Sequence, residues 1–212
     1  MTGGSRSRRL LNLCAAVLVV ATSLIPSAAW SQSAPAVASA DSEPVTLAVT
    51  LLDYAQLNTG IRASAEEQCL RIFAAADVEI RWVPLGHATT DKRRAIDVVL
   101  LSDVMARRLI QGRAIPPIVL GITGPDIKRV YVFVDRVLHL AVQTGSDPGD
   151  TLGSVIAHEL GHVLLPDNGH SPTGIMQAEY EMYGRGARRF TPAQAAAIRA
   201  FLRAGHDGDA GR

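Results

Sequence analysis

Alternating and continuous apolar segments predict five β-strands along the chain. Val78–Val83 alternates apolar and polar residues and stops at Pro84, which is typical of a strand with one buried face. Residues 117–123 are apolar but bounded by prolines, and prolines confine a strand to a sheet edge because they lack a backbone N–H. The predicted strands span residues 45–52, 78–83, 96–101, 117–123 and 130–134.

Apolar residues at a spacing of three and four predict helices between and after these strands. The first helix begins at a capping box formed by Ser64 and Glu67, and the last begins at Pro192 with Thr191 as its cap. The predicted helices span residues 64–76, 103–110, 151–165 and a segment that starts at residue 192, and the strand over residues 130–134 leads into residues 136–142. Strands separated by helical crossovers indicate an α/β sheet with parallel members.

The N-terminal segment has the pattern of an export signal. Three arginines precede an apolar run, residues 10–25, which Pro26 and several small residues follow. The pattern predicts a signal peptide over residues 1–31, cleaved before Gln32, and the alternative is an uncleaved membrane anchor. The run is shorter than the roughly 20 residues that a membrane span needs, which favours cleavage. Residues 32–43 are small and polar, as in a disordered leader.

Composition and charge exclude several classes of protein. The 212 residues are 48% hydrophobic and 19% charged, enough apolar material for one sizeable core. The formal charge is +1, and it becomes −2 once the three arginines of residues 1–31 leave 18 basic against 20 acidic residues. No basic field therefore indicates a nucleic-acid partner. Cleavage also removes Cys14 and leaves Cys69, which lies on the apolar stripe of the first helix, so the exported chain forms no internal disulfide.

The helix over residues 151–165 contains the sequence His158-Glu159-Leu160-Gly161-His162, an HExxH motif. Residues four apart share one helical face, so two imidazoles there can bind one Zn²⁺. Glu159 lies one residue along and can reach a water at the metal as a general base. The alternative is a pair of ordinary hydrogen-bonded histidines. The apolar residues on both sides of the motif disfavour it, because a glutamate and two histidines are out of place in a core helix without a function.

The residues after this helix supply a third candidate ligand. Pro166 ends the helix, and His170 follows a turn at Gly169. Together with the motif and the later Gly174-Ile175-Met176, this segment resembles the metzincin clan of zinc metallopeptidases. The sequence departs from the metzincin pattern HExxHxxGxxH, since Leu165 stands at the glycine and Asn168 at the third histidine.

The resemblance implies a zincin-like α/β (α+β) fold. In it, a twisted, mixed and mostly parallel sheet with an antiparallel edge strand precedes the HExxH helix and a small C-terminal helical subdomain. It implies one catalytic Zn²⁺ held by His158, His162 and His170, with Met176 as an apolar floor beneath the metal. Tyr180 is a candidate helper at the oxyanion. Asp167 and Glu179 remain rival third ligands, since either carboxylate can replace an imidazole.

These observations predict an exported zinc metalloendopeptidase, with a catalytic domain over residues 44–204 and a frayed tail over residues 205–212. It would act as a monomer on peptide or protein substrates in the periplasm or the medium, without stable membrane association after signal cleavage. Two alternatives remain. One is an exported zinc-binding or interaction module that keeps a peptidase scaffold without turnover, and the other is hydrolysis of a non-peptide amide.

Overall fold

A computed structural model describes residues 45–86, 95–124, 128–166, 170–177 and 189–207, with side chains as far as residue 204. The chain divides into two units, Met1–Ala40 and Asp41–Arg212, and all described residues lie in the second. The predicted signal peptide and leader lie outside the described residues. None of the described helices is long and apolar enough to cross a membrane.

Five strands and five helices make up the described part of the chain. The strands are β1 (Val45–Asp53), β2 (Val78–Val83), β3 (Ala95–Leu101), β4 (Gly121–Gly124) and β5 (Arg129–Phe133). The helices are α1 (Thr59–Ala74), α2 (Asp103–Ile110), α3 (Val134–Thr144), α4 (Pro148–Leu164) and α5 (Pro192–Asp207). The strands β1, β2, β3 and β5 and the helix α2 lie within one residue of the limits that their sequence patterns predict.

The strands form one mixed sheet in the order β2-β1-β3-β5-β4. The pairs β1–β2, β1–β3 and β3–β5 are parallel, whereas β4 runs antiparallel to β5, with Gly121 opposite Val132. This confirms the predicted mostly parallel sheet with an antiparallel edge strand. The edge strand is shorter than predicted and begins at Gly121, four residues after the proline pair 116–117.

The two faces of the sheet differ in how much they bury. Alternate residues of β1, β3 and β5 pack with α1, α3, α4 and α5 in the larger hydrophobic cluster. On the opposite face, Val99, Leu101 and Phe133 form a smaller cluster with α2 and with Ile122 of the edge strand. Cys69 lies fully buried in the larger cluster, and burial raises the pKa of its thiol. The helix α4 packs against the strands β4 and β5 and against the helices α1, α3 and α5.

The helix limits differ from prediction where a different residue provides the cap. The helix α1 begins at Thr59, because the side chain of Asn58 accepts a hydrogen bond from the N–H of Gly60. Likewise α4 begins at Pro148, since the Asp147 carboxylate accepts from the N–H of Asp150. The helix α5 begins as predicted but continues to Asp207, so the first three residues of the predicted tail are helical. Residues 208–212 lie outside the described part of the chain.

Candidate metal centre

The helix α4 carries two histidines on adjacent turns of one face. Almost every other residue of this helix is buried, whereas His158 and His162 are half-buried. Their Nε2 atoms lie 3.0 Å apart, and the two rings meet edge to face at a centroid distance of 4.7 Å. The spacing of four residues thus brings two imidazole nitrogens to one point at the surface of the helix.

The third histidine comes from the segment after α4. The ring of His170 is exposed and lies 5.4 Å from the ring of His158 and 4.9 Å from that of His162, measured between centroids. One nitrogen from each of the three side chains falls within 4.8 Å of the others, which is close enough for all three to hold a metal ion. Three imidazoles are a donor set that suits Zn²⁺ and leaves room for another ligand.

Backbone contacts fix both the first histidine and the segment that carries the third. The Nδ1 of His158 lies 2.7 Å from the carbonyl oxygen of Ile175; since a carbonyl only accepts, Nδ1 carries the proton. With the proton on Nδ1, the Nε2 atom keeps its lone pair, which is directed toward the other histidines. The N–H of Ser171 donates to the Met176 carbonyl at 2.7 Å, and the N–H of Ile175 donates to the Arg189 carbonyl at 2.9 Å.

Met176 is fully buried, with 0% of its surface exposed. Its sulfur sits against the backbone of α4 at Gly161, where a Cβ atom would overlap it. Phe190 also reaches Gly161 and packs edge to face on Phe73 at a ring-centroid distance of 5.1 Å. The absence of a side chain at position 161 therefore lets the segment after the helix pack directly under the motif.

Glu159 faces the edge strand β4. Only 7% of this residue is exposed, and its carboxylate accepts a hydrogen bond of 2.7 Å from the Thr123 hydroxyl. Burial raises the pKa of the Glu159 carboxyl to about 7, and the hydrogen bond from Thr123 opposes part of that rise. The carboxylate thus lies between the helix and the sheet edge, one residue from His158.

The structure brings together three of the residues singled out from the sequence, His158, His162 and His170. Glu159 lies on the same helix with its carboxylate against β4, and Met176 packs against that helix at Gly161. Tyr180 and the rival ligands Asp167 and Glu179 lie outside the described residues.

Two residues at the site were not singled out from the sequence. Thr123 and Gly121 both contact Glu159 from the edge strand. Their signal in the sequence is weak: a glycine and a threonine two residues apart in a predicted strand share one face. That spacing does not predict that the shared face of Gly121 and Thr123 contacts Glu159 of α4.

The chain resembles solved structures in fold, whereas no protein-family model matches it and no curated protein matches its sequence. An archaemetzincin from Methanopyrus kandleri superposes with a TM-score of 0.50 at 13% identity, over 76% of this chain and 98% of that one. A zinc-dependent peptidase from Methanocorpusculum labreanum gives a TM-score of 0.49 at 11% identity, over 71% of this chain and 99% of that one. At such identities the archaemetzincin likeness establishes the α/β fold with its antiparallel edge.

Proposed function

We propose that the chain is an exported, zinc-dependent metallopeptidase of the metzincin type. The observation that carries the proposal is the convergence of three imidazole nitrogens within 4.8 Å, on and beside a helix that also holds a buried glutamate. The archaemetzincin, whose fold this chain shares, adds support by analogy. Export through residues 1–31 and action as a monomer in the periplasm or the medium are parts of the proposal that rest on the sequence.

In this proposal His158, His162 and His170 would hold one Zn²⁺ ion. Zinc, when bound, supplies a positive charge that polarises a peptide carbonyl and favours deprotonation of an attacking water. The proton on Nδ1 of His158, held by the Ile175 carbonyl, keeps Nε2 as the donor atom of that ring. Met176, which is buried against the helix at Gly161, would supply an apolar surface on the protein side of the site.

Glu159 would act as the general base. It would take a proton from the attacking water and deliver it to the nitrogen of the departing amine. Zinc binding alone does not need a carboxylate buried beside the ligands. Burial of a carboxylate costs stability, which the hydrogen bond from Thr123 offsets only in part. The presence of Glu159 next to His158 therefore favours hydrolysis over simple metal binding.

The substrate class that we propose is an extended peptide. Among the described strands, β4 pairs with β5 on one side and with none on the other, so its outer side would offer backbone groups to a further strand. Because β4 also contacts Glu159, a peptide added to this edge would lie next to the proposed base. This arrangement makes peptides better candidates than small amides, which need no strand pairing.

The first test is the zinc content of the chain from residue 32, measured by elemental analysis in the wild type and in His170→Ala. We expect close to one zinc per wild-type chain and much weaker binding in the variant, because one of three imidazoles is lost. If zinc stays tightly bound in His170→Ala, the third ligand would instead be Asp167 or Glu179. A folded wild type that binds no zinc would refute the proposal.

The second test separates chemistry from metal binding through Glu159→Gln. We expect it to retain zinc and to lose peptide hydrolysis by about 10²–10⁴-fold, since the amide cannot accept the proton. Glu79→Gln on β2, an exposed position, is the matched control and should retain full activity. Zinc-loaded wild type that cleaves no member of a peptide library would instead support a binding module, as the altered spacing at Leu165 and Asn168 would allow.

A further inference from the structure

Two residues of the edge strand β4, Gly121 and Thr123, contact the Glu159 carboxylate. We propose that Thr123 is a positioning residue for Glu159 and that Gly121 provides the space in which the carboxylate lies. This inference rests on the proposed function for its catalytic meaning, whereas the contact itself is testable without activity.

The alternation of the strand gives both residues the same neighbour. Gly121 and Thr123 lie two apart in β4, so they face the same side of the sheet, toward α4. Ile122 lies between them and packs into the cluster on the opposite face. A one-residue shift of this strand would turn Ile122 toward Glu159 and remove the hydrogen bond.

The two contacts act on different parts of the carboxylate. The Thr123 hydroxyl lies 2.7 Å from Oε2 of Glu159 and 3.3 Å from the backbone carbonyl oxygen of the same residue. A Cβ atom at Gly121 would come within 2.8 Å of Oε1 and 2.9 Å of Cγ and Cδ. One oxygen is therefore held by a donor, and the other lies over bare backbone.

This arrangement restricts a side chain with three rotatable bonds to one orientation. Removal of the hydroxyl leaves a nearly buried carboxylate without this donor, so the carboxylate reorients toward water. Added bulk at position 121 displaces the same group by direct overlap. Neither change touches a histidine, so we expect metal binding to survive while the reaction slows.

The experiment compares Thr123→Val, which keeps the shape but removes the hydroxyl, with Thr123→Ser, which restores it. We expect Thr123→Val to lower kcat about tenfold with KM and zinc content near wild type, and Thr123→Ser to recover most of the loss. Gly121→Ala should lower kcat in the same way. Thr50→Val on β1 is the matched control for a strand threonine and should leave kcat unchanged.

A second measurement does not depend on activity. We expect Thr123→Val to lower the melting temperature of the zinc-free protein in the wild-type background, and to have almost no effect once Glu159→Ala has removed the carboxylate. Equal shifts in both backgrounds would overturn the contact, whether or not the protein cleaves peptides.

The two proposals fail in different ways. Zinc-loaded wild type without hydrolysis counts against the peptidase, while the melting-temperature comparison still decides the contact. Active wild type with Thr123→Val at the same kcat overturns the positioning role and leaves the peptidase intact.

Discussion

At the residue scale, Gln194 shows how one side chain can link the fold to the site. Its Oε1 accepts from the N–H of Thr191 at 2.9 Å, and the Thr191 hydroxyl accepts from the N–H of Gln194 at 3.3 Å, which forms a capping box at the start of α5. Its Nε2 donates to the Ser171 hydroxyl at 2.9 Å, beside His170. We expect Gln194→Ala to weaken zinc binding by less than about tenfold, as measured by competition with a chelator, since it acts one contact beyond the ligands.

Ser171→Ala distinguishes the two roles of Gln194. It removes the hydrogen bond from Gln194, and with it the bond that the Ser171 hydroxyl donates to the Thr173 carbonyl, but it keeps the capping box. Zinc affinity should therefore fall at least as far as in Gln194→Ala, with a smaller loss of melting temperature. Equal zinc affinity in both variants and the wild type would mean that α5 does not position His170. The sequence predicts the cap at Thr191 from its spacing, but the second hydrogen bond joins residues 23 apart, which no local pattern encodes.

At the scale of elements, α1 and α4 approach each other closely because α4 has glycines where they meet. A Cβ atom on Gly153 would overlap the carbonyl oxygen of Ala65. We expect Gly153→Ala to lower the free energy of unfolding by about 1–3 kcal/mol in urea titrations, although alanine is the better helix former. Val142→Ala on α3, at an exposed position, is the control and should stay within about 0.5 kcal/mol of wild type. A stable Gly153→Ala protein would show that the two helices lie further apart.

The same pair of helices shows where sequence patterns mislead. Ser64 and Glu67 have the spacing of a capping box, yet Ser64 lies inside α1 and its hydroxyl donates to the Asp147 carboxylate at 3.4 Å. Glu67 pairs instead with Arg71, one turn along the helix. A local pattern identifies the helix and its buried side. The residue at which the helix starts depends on which side chain accepts a hydrogen bond from an N–H of the first turn, and here that side chain is Asn58. The HExxH helix was easier to identify, because its chemistry is contained within five consecutive residues.

At the scale of the molecule, the fold holds the site together through apolar contacts as well as through the histidines. Ile175, Met176 and Phe190 belong to the same hydrophobic cluster as β1, α1 and α4. We therefore expect the chelated protein to keep its far-ultraviolet circular dichroism and to unfold cooperatively, at a lower melting temperature. Added zinc should raise the melting temperature as its concentration increases. At a thousandfold excess over Kd, bound zinc should add about 4 kcal/mol to the free energy of unfolding.

The specificity of this response tests whether the histidines are its origin. Magnesium should produce no comparable rise, because it prefers oxygen ligands over imidazole. His162→Ala should fold but lose the response to zinc, since one of the two helical nitrogens is gone. If the chelated protein instead unfolds without cooperativity, the apolar contacts alone do not hold the site together. The segment from His170 to Met176 would then pack against α4 only with metal bound, as in small domains that fold around zinc. The apolar contacts of Met176 with Gly161 favour the first outcome, because they join that segment to α4 without involving any ligand.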